Sequence, residues 1–377
     1  MRWPDVAKGL SILGVVLLHI VIMVPGGMDG TAAAVTRVLD PLRMPLFFMV
    51  SGFFSAKVLN FTFRELFLRR LWFLLVPYVL WVPVELWLSH RVRATYQDIE
   101  MPGAMLYVMR TVEGWNPYWF LYGLILFNLV LWATRKWPPW AAMLVSFSPI
   151  LLLPAFADMP LVTRVVMYLP VFMGAVHLRR HIRAWAERAT ELPTLSVSIL
   201  LYAAGLSLSA VWGWWTTSHP GADLWYLPGA GDFGTREVGY AVKMTVQILM
   251  LPVAVIASVL ISRIPVVTEA LSFLGRHTLV IYLGHPLAFI FLYQFPVRKW
   301  GLEISRQAEN PLLQTWVWMT LCFVMAAVGS WVVHLLTRIP YLRWTIMPPQ
   351  LVAAPRRPVS AAGVTTAATT TASVTTR

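Results

Sequence analysis

Lys8 and His19 stand eleven residues apart in the first apolar segment of the chain. Eleven steps of about 100° end within roughly 20° of three full turns, so both side chains share one helix face, ~16 Å apart along the axis. One ionisable group then sits at the mouth of a membrane helix and the other well inside it. Ionisable groups are costly in hydrocarbon, and those that persist there mark functional sites. A neutral imidazole at that depth can take a proton from a hydroxyl, which is the work of a general base. The plainer role for His19 is helix packing through a bond to a backbone carbonyl. Lys8 fits a cationic contact for an anionic donor arriving from the cytoplasm. It equally fits an inner-leaflet anchor paired with Asp5 at i−3.

Other residues extend this chemistry. His285, in Leu283-Gly284-His285-Pro286, lies at nearly the depth of His19 on a later segment, so the two are able to share one site. His285 can instead satisfy a carbonyl near Pro286. Arg69 and Arg70 precede the third apolar segment and Arg276 opens the ninth, a basic set suited to phosphates. On the opposite side, Arg43, Glu85 and Arg164 stand at segment ends, where they line an outer cavity for a hydroxylated acceptor or form interfacial ion pairs. Trp119 belongs to an aromatic boundary segment that serves as a membrane belt or as a face for stacking sugar rings.

These residues need a membrane scaffold to position them. Of 377 residues 58% are hydrophobic and only 12% are charged, which reads as a polytopic all-α membrane protein. Ten apolar stretches are long enough to span: 7–25, 39–58, 71–88, 117–134, 138–156, 161–178, 194–214, 238–262, 270–295 and 313–337. With the N-terminus cytoplasmic, Lys57, Arg64, Arg135, Lys136, Arg179, Arg180, Arg183 and Arg263 fall on the inner side. Asp29, Asp98, Glu100, Glu113, Asp158, Asp223 and Asp232 fall outside. The positive-inside rule selects that orientation, and an even number of spans returns the C-terminus to the cytoplasm. Residues 89–116 and 215–237 are then the two long outer connections. Residues 1–345 form the membrane domain, and the Ala/Thr-rich residues 346–377 a disordered cytoplasmic tail.

Several classes are disfavoured. The net charge of +13 sits in short loops between apolar segments, which indicates orientation and contact with membrane lipids, not nucleic acid. The lone Cys322 excludes an internal disulfide and a cysteine-built zinc site. Walker, dinucleotide, HExxH and nucleophile-elbow motifs are missing, so no metal and no covalent serine is expected. The first apolar stretch has no small-residue cleavage site at its end and is read as a span, not a signal peptide.

Four motifs occur in order. They are Lys8-Gly9 with His19 ten positions on, Met44-Pro45-Leu46-Phe47-Phe48-Met49-Val50-Ser51-Gly52, Asn116-Pro117-Tyr118-Trp119-Phe120-Leu121, and Leu274-Gly275-Arg276 running to His285-Pro286. Together they resemble the membrane acyltransferase-3 family, in its stand-alone form without a soluble esterase-like domain. The resemblance implies an integral-membrane O-acyltransferase that moves an acyl group, most often acetyl, from cytoplasmic acetyl-CoA to a hydroxyl of an envelope glycan or glycolipid. In this reading acetyl-CoA is the co-substrate, His19 the base, and Lys8, Arg69, Arg70 and Arg276 the phosphate contacts. His285 orients the acceptor, supports the oxyanion or packs. Arg43, Glu85, Trp119 and Arg164 face the acceptor. A bacterial inner membrane is the implied location. The chain departs from the family where relatives carry two arginines three apart, since Phe73 stands three beyond Arg70, and where histidine often precedes Met44 and Arg43 stands here. A rival from another class is a non-catalytic transporter of an acylated lipid or glycan. It lacks the internal repeat common in transporters.

Overall fold

The computed structural model describes residues 2–40, 43–97 and 99–351. Among them, eight helices are long and apolar enough to cross a membrane, and two shorter apolar helices complete a set of ten. We number them α1 (Trp3–Met23), α2 (Met44–Phe53), α3 (Phe63–Tyr96), α4 (Trp119–Ala133), α5 (Pro139–Phe156), α6 (Pro160–His177), α7 (Leu192–Ser218), α8 (Thr235–Ile261), α9 (Thr278–Lys299) and α10 (Thr315–Leu336). The protein is an all-α polytopic membrane protein, as its composition requires.

Local signals set the helix ends. Pro4 and Asp5 open α1, where a missing N–H costs nothing and a carboxylate favours the positive helix end. Thr62 and Glu65 form a reciprocal capping box at the start of α3. A π-helical turn follows at Phe67–Leu71 before α-geometry resumes at Trp72.

The second expected span, 39–58, contracts to the ten residues of α2, which measure only ~15 Å against the ~30 Å of a hydrocarbon core. Seven of them, including Leu46, Phe48, Met49 and Val50, are buried. Burial within protein is what permits helix ends at membrane depth. Phe48 anchors the centre, its ring 5.0 Å from Phe127 of α4 and 5.1 Å from Tyr168 of α6. The ninth expected span, 270–295, divides at His277, where the backbone leaves helical geometry (φ −106°, ψ 18°); Pro265–Arg276 is a separate helix.

The two long connections expected on the outer side are themselves structured. Ala104–Val112 is a helix, and β1 (Asp223–Leu227) pairs antiparallel with β2 (Gly231–Gly234), with Trp225 stacked on Phe233 at 5.6 Å. The residues around 346 pack against the bundle. Ile346 is fully buried and Trp72 Nε1 donates to the Pro349 carbonyl at 3.3 Å, so the chain is docked on α3 as far as that residue. Residues 352–377 lie outside the described residues.

Small residues bring the functional helices together. A Cβ on Gly9 or Gly275 would strike the carbonyl of Leu271 or Asp5, so α1 and the Pro265–Arg276 helix cross in backbone contact. On α9, a Cβ at Gly284 would lie 2.6 Å from Ser330 Cα of α10. Gly284→Val therefore forces the helices apart beside His285. The expected loss is ~1–3 kcal/mol, visible as a lower unfolding temperature in detergent, whereas unchanged stability would show the contact to be loose.

Candidate active site

α1 and α9 bring His19 and His285 together. Nδ1 of His19 lies 3.0 Å from Nε2 of His285, with the rings inclined by 26°. One turn below, Nδ1 of His285 lies 2.8 Å from the carbonyl of Ile281. A carbonyl only accepts, so His285 Nδ1 carries hydrogen and donates to it. The neutral ring then has its lone pair at Nε2, and His19 Nδ1–H donates to that atom. His19 is left with its lone pair on Nε2. The chain of bonds thus selects the tautomer suited to a base. His285 is 0% exposed and enclosed by Tyr282 and Phe289, whose rings stand edge-on at 5.7 and 5.8 Å; His19 keeps part of its surface open. The carbonyl bond that packs His285 is also the bond that orients it.

Toward the basic end of the bundle, a pocket of about 260 Å³ is lined by Lys8, Arg69 and Arg70 together with Ser51, Ser55, Phe54, Phe73 and Asn128. Lys8 does not form an ion pair with Asp5; its ammonium lies 5.3 Å from the centre of the Phe54 ring. Arg70 Nη2 donates to the Phe54 carbonyl at 2.9 Å, and Arg69 pairs with Glu65 at 3.6 Å on the more exposed rim. The π-helical turn holds both arginines, and their adjacent side chains open onto the same pocket. Arg276 is not brought there. It is exposed at the end of the Pro265–Arg276 helix, because the chain breaks at His277 and turns that helix against α1.

At the opposite end, Arg164 lies over Trp119 at 4.5 Å and donates from Nη1 to the Gly114 carbonyl at 2.5 Å. Trp119 stacks on Tyr168 at 5.7 Å. Beside them Asn116 Nδ2 donates to Tyr78 Oη at 3.0 Å, and Tyr118 Oη donates to the Leu283 carbonyl at 3.0 Å, tying the start of α4 to the turn that carries His285. Glu85 is buried within electrostatic reach of Tyr118, and its Oε2 has no partner among the described residues. Arg43, expected to face the acceptor, stands at the start of the short α2, and its stem lies across Gly14 in the middle of α1.

Four residues of this region were not singled out by sequence. Tyr118, Tyr168 and Tyr282 are hidden among 12 tyrosines, although Tyr282 stands at i−3 from His285 and so shares its helix face. Asn128 is the lone amide of α4. Its Nδ2 donates to the Leu124 carbonyl at 2.7 Å, while Oδ1 is buried on the pocket wall without a partner among the described residues.

A pocket lined by three cations, a tautomer-selected imidazole pair and an aromatic cluster thus follow one another along the bundle. Comparison with protein families matches residues 1–335 to the model described as "Acyltransferase domain" of the acyltransferase-3 family. The chain belongs to that family of membrane acyltransferases. Neither the curated proteins nor the solved structures provide a match.

The pocket makes a separable prediction. Lys8→Ala and Arg70→Ala should each weaken acyl-CoA binding about 10- to 100-fold, the scale of one charge-assisted hydrogen bond, and leave acceptor KM unchanged. Titration of purified protein with acetyl-CoA reads this, and wild-type affinity in both variants removes the pocket from donor binding.

Proposed function

We propose that the protein is an O-acyltransferase of the bacterial inner membrane that moves acetyl from cytoplasmic acetyl-CoA to a hydroxyl of an envelope glycan or glycolipid on the outer side. The observation that carries this reading is the His19–His285 pair with its Ile281 carbonyl terminus. A thioester is already activated. The protein has to remove a proton from an alcohol, hold two substrates together and stabilise an oxyanion. His19 Nε2 takes the hydroxyl proton as the oxygen attacks the acyl carbon. The C–S bond then breaks, and the proton on His19 passes to the departing sulfur. Lys8, Arg69 and Arg70 hold the donor phosphates, and Asn128 Oδ1 accepts from an amide N–H of the pantetheine arm. Trp119 and Arg164 meet the hydroxylated acceptor, with Glu85 behind them.

A carrier that only moves an acylated lipid or glycan has no use for an imidazole held in one tautomer, so the site supports catalysis over transport. The test uses purified protein, acetyl-CoA labelled in the acetyl group, and a lipid or glycan extract of cell envelopes. Label passing to the extract in wild type and not in His19→Ala supports the reading; no label transferred by wild type overturns it.

A further inference from the structure

The short α2 delivers a cation to an unexpected depth. Arg43 caps a helix of only ten residues, so its side chain does not reach the outer surface of α1 but crosses it at Gly14. A Cβ on Gly14 would lie 2.7 Å from Arg43 Cγ, so glycine is what leaves room for the stem. Gly14 lies ~9 Å above Lys8 and ~7.5 Å below His19 along the helix axis. In depth the Arg43 stem therefore lies between Lys8 and His19, on a side of α1 turned roughly 120–140° from the face those two share.

Its hydrogen bonds are incomplete in an informative way. Nη2 is engaged by Asp40, whereas Nε and Nη1 are buried and have no partner among the described residues. Buried donors of a charged group are normally satisfied, and those left open call for a partner that arrives during function. A residue present only to pair Asp40 needs neither a glycine groove nor two further N–H groups shielded from water. Arg43 lies within electrostatic range of the His19 ring and of Tyr168, which itself stacks on Trp119. The acceptor cluster already has its own cation in Arg164.

We propose that Arg43 is a catalytic residue whose Nε and Nη1 donors hold the thioester carbonyl oxygen and stabilise the oxyanion formed on attack. This rests on the acyltransferase reading above. When the acceptor oxygen bonds to the acyl carbon, its proton moves to His19 Nε2 and the carbonyl electron pair moves onto oxygen, facing the guanidinium. Collapse restores the carbonyl, breaks the C–S bond and releases the thiol, which takes the proton from His19. A fixed donor aimed at the place where negative charge develops lowers the barrier without tightening the ground state.

The test is a split of kinetic constants in the full-length protein. Arg43→Gln should lower kcat by ~10²–10³-fold, the scale for removing an oxyanion donor, with acceptor KM and acetyl-CoA affinity held within about twofold. Arg43→Lys should recover only part, since its point charge lacks the planar donor set. A raised acceptor KM at unchanged kcat in Arg43→Gln would make Arg43 an acceptor contact and overturn the proposal, as would full activity. If Arg43→Gln does not elute as a folded protein that binds acetyl-CoA, Gly14→Ala takes its place. It keeps the charge and displaces the stem, so kcat should fall at unchanged donor affinity, and undiminished kcat would again refute the role. Absence of transfer by wild type removes the acyltransferase reading itself; an active wild type with a fully active Arg43→Gln removes only this inference.

Discussion

His19→Ala should bind acetyl-CoA as wild type does and transfer almost no acyl group, with kcat lower by ~10²–10⁴-fold, the usual contribution of a positioned general base. Its Nδ1 is committed to His285 at 3.0 Å, so the lone pair on Nε2 is the ring's remaining function. The basic pocket proposed for the donor lies at the other end of α1, ~16 Å away along the axis, and shares no lining residue with the imidazole pair. Binding and chemistry are therefore expected to separate cleanly. Single-turnover transfer measured beside equilibrium binding of acetyl-CoA decides the matter. Wild-type transfer by a folded His19→Ala protein would falsify the base assignment.

The second large effect belongs to His285, which is fully buried behind His19. His285→Phe keeps a ring of similar size in a site that is fully closed to solvent, yet removes the acceptor for His19 Nδ1–H. His19 is then released to the wrong tautomer or orientation. The loss of kcat should approach ~10²–10⁴-fold, as when the orienting group of a catalytic triad is disabled, with both KM values held. His285→Gln is the discriminating variant, because its side-chain carbonyl can still accept from His19 Nδ1. It should retain more activity than His285→Phe. Equal losses in the two variants would mean that His285 matters only for packing.

How far the primary structure reaches differs from residue to residue. The Lys8–His19 alignment is legible because helix periodicity is a local property, and α1 is a continuous helix from Trp3 to Met23. The matching depth of His285 is legible for the same reason. Arg69 and Arg70 look like an imperfect phosphate motif until the π-helical turn at Phe67–Leu71 lets adjacent side chains open onto one pocket. Arg276 illustrates the reverse. Its place at the start of an apolar stretch groups it with the inner-side arginines, but it is exposed after the break at His277 and does not line their pocket. Asn128 is visible as a lone amide in an apolar helix, though nothing local reveals that it lines the basic pocket with a buried, unpartnered Oδ1.

The chain alone determined that this is a ten-segment membrane protein, which loops carry positive charge, and that a lysine and a histidine share one face of the first helix. Hydropathy, charge and periodicity are summed over neighbours along the chain, so no tertiary knowledge is needed for them. Only the folded bundle decided that His19 meets His285 across 266 positions, and that a helix cut to ten residues lowers Arg43 to the level of Gly14. Those outcomes depend on which helices can touch, and that is set by small residues such as Gly14 and Gly284 at the crossings and by burial of helix ends that lipid alone would not tolerate.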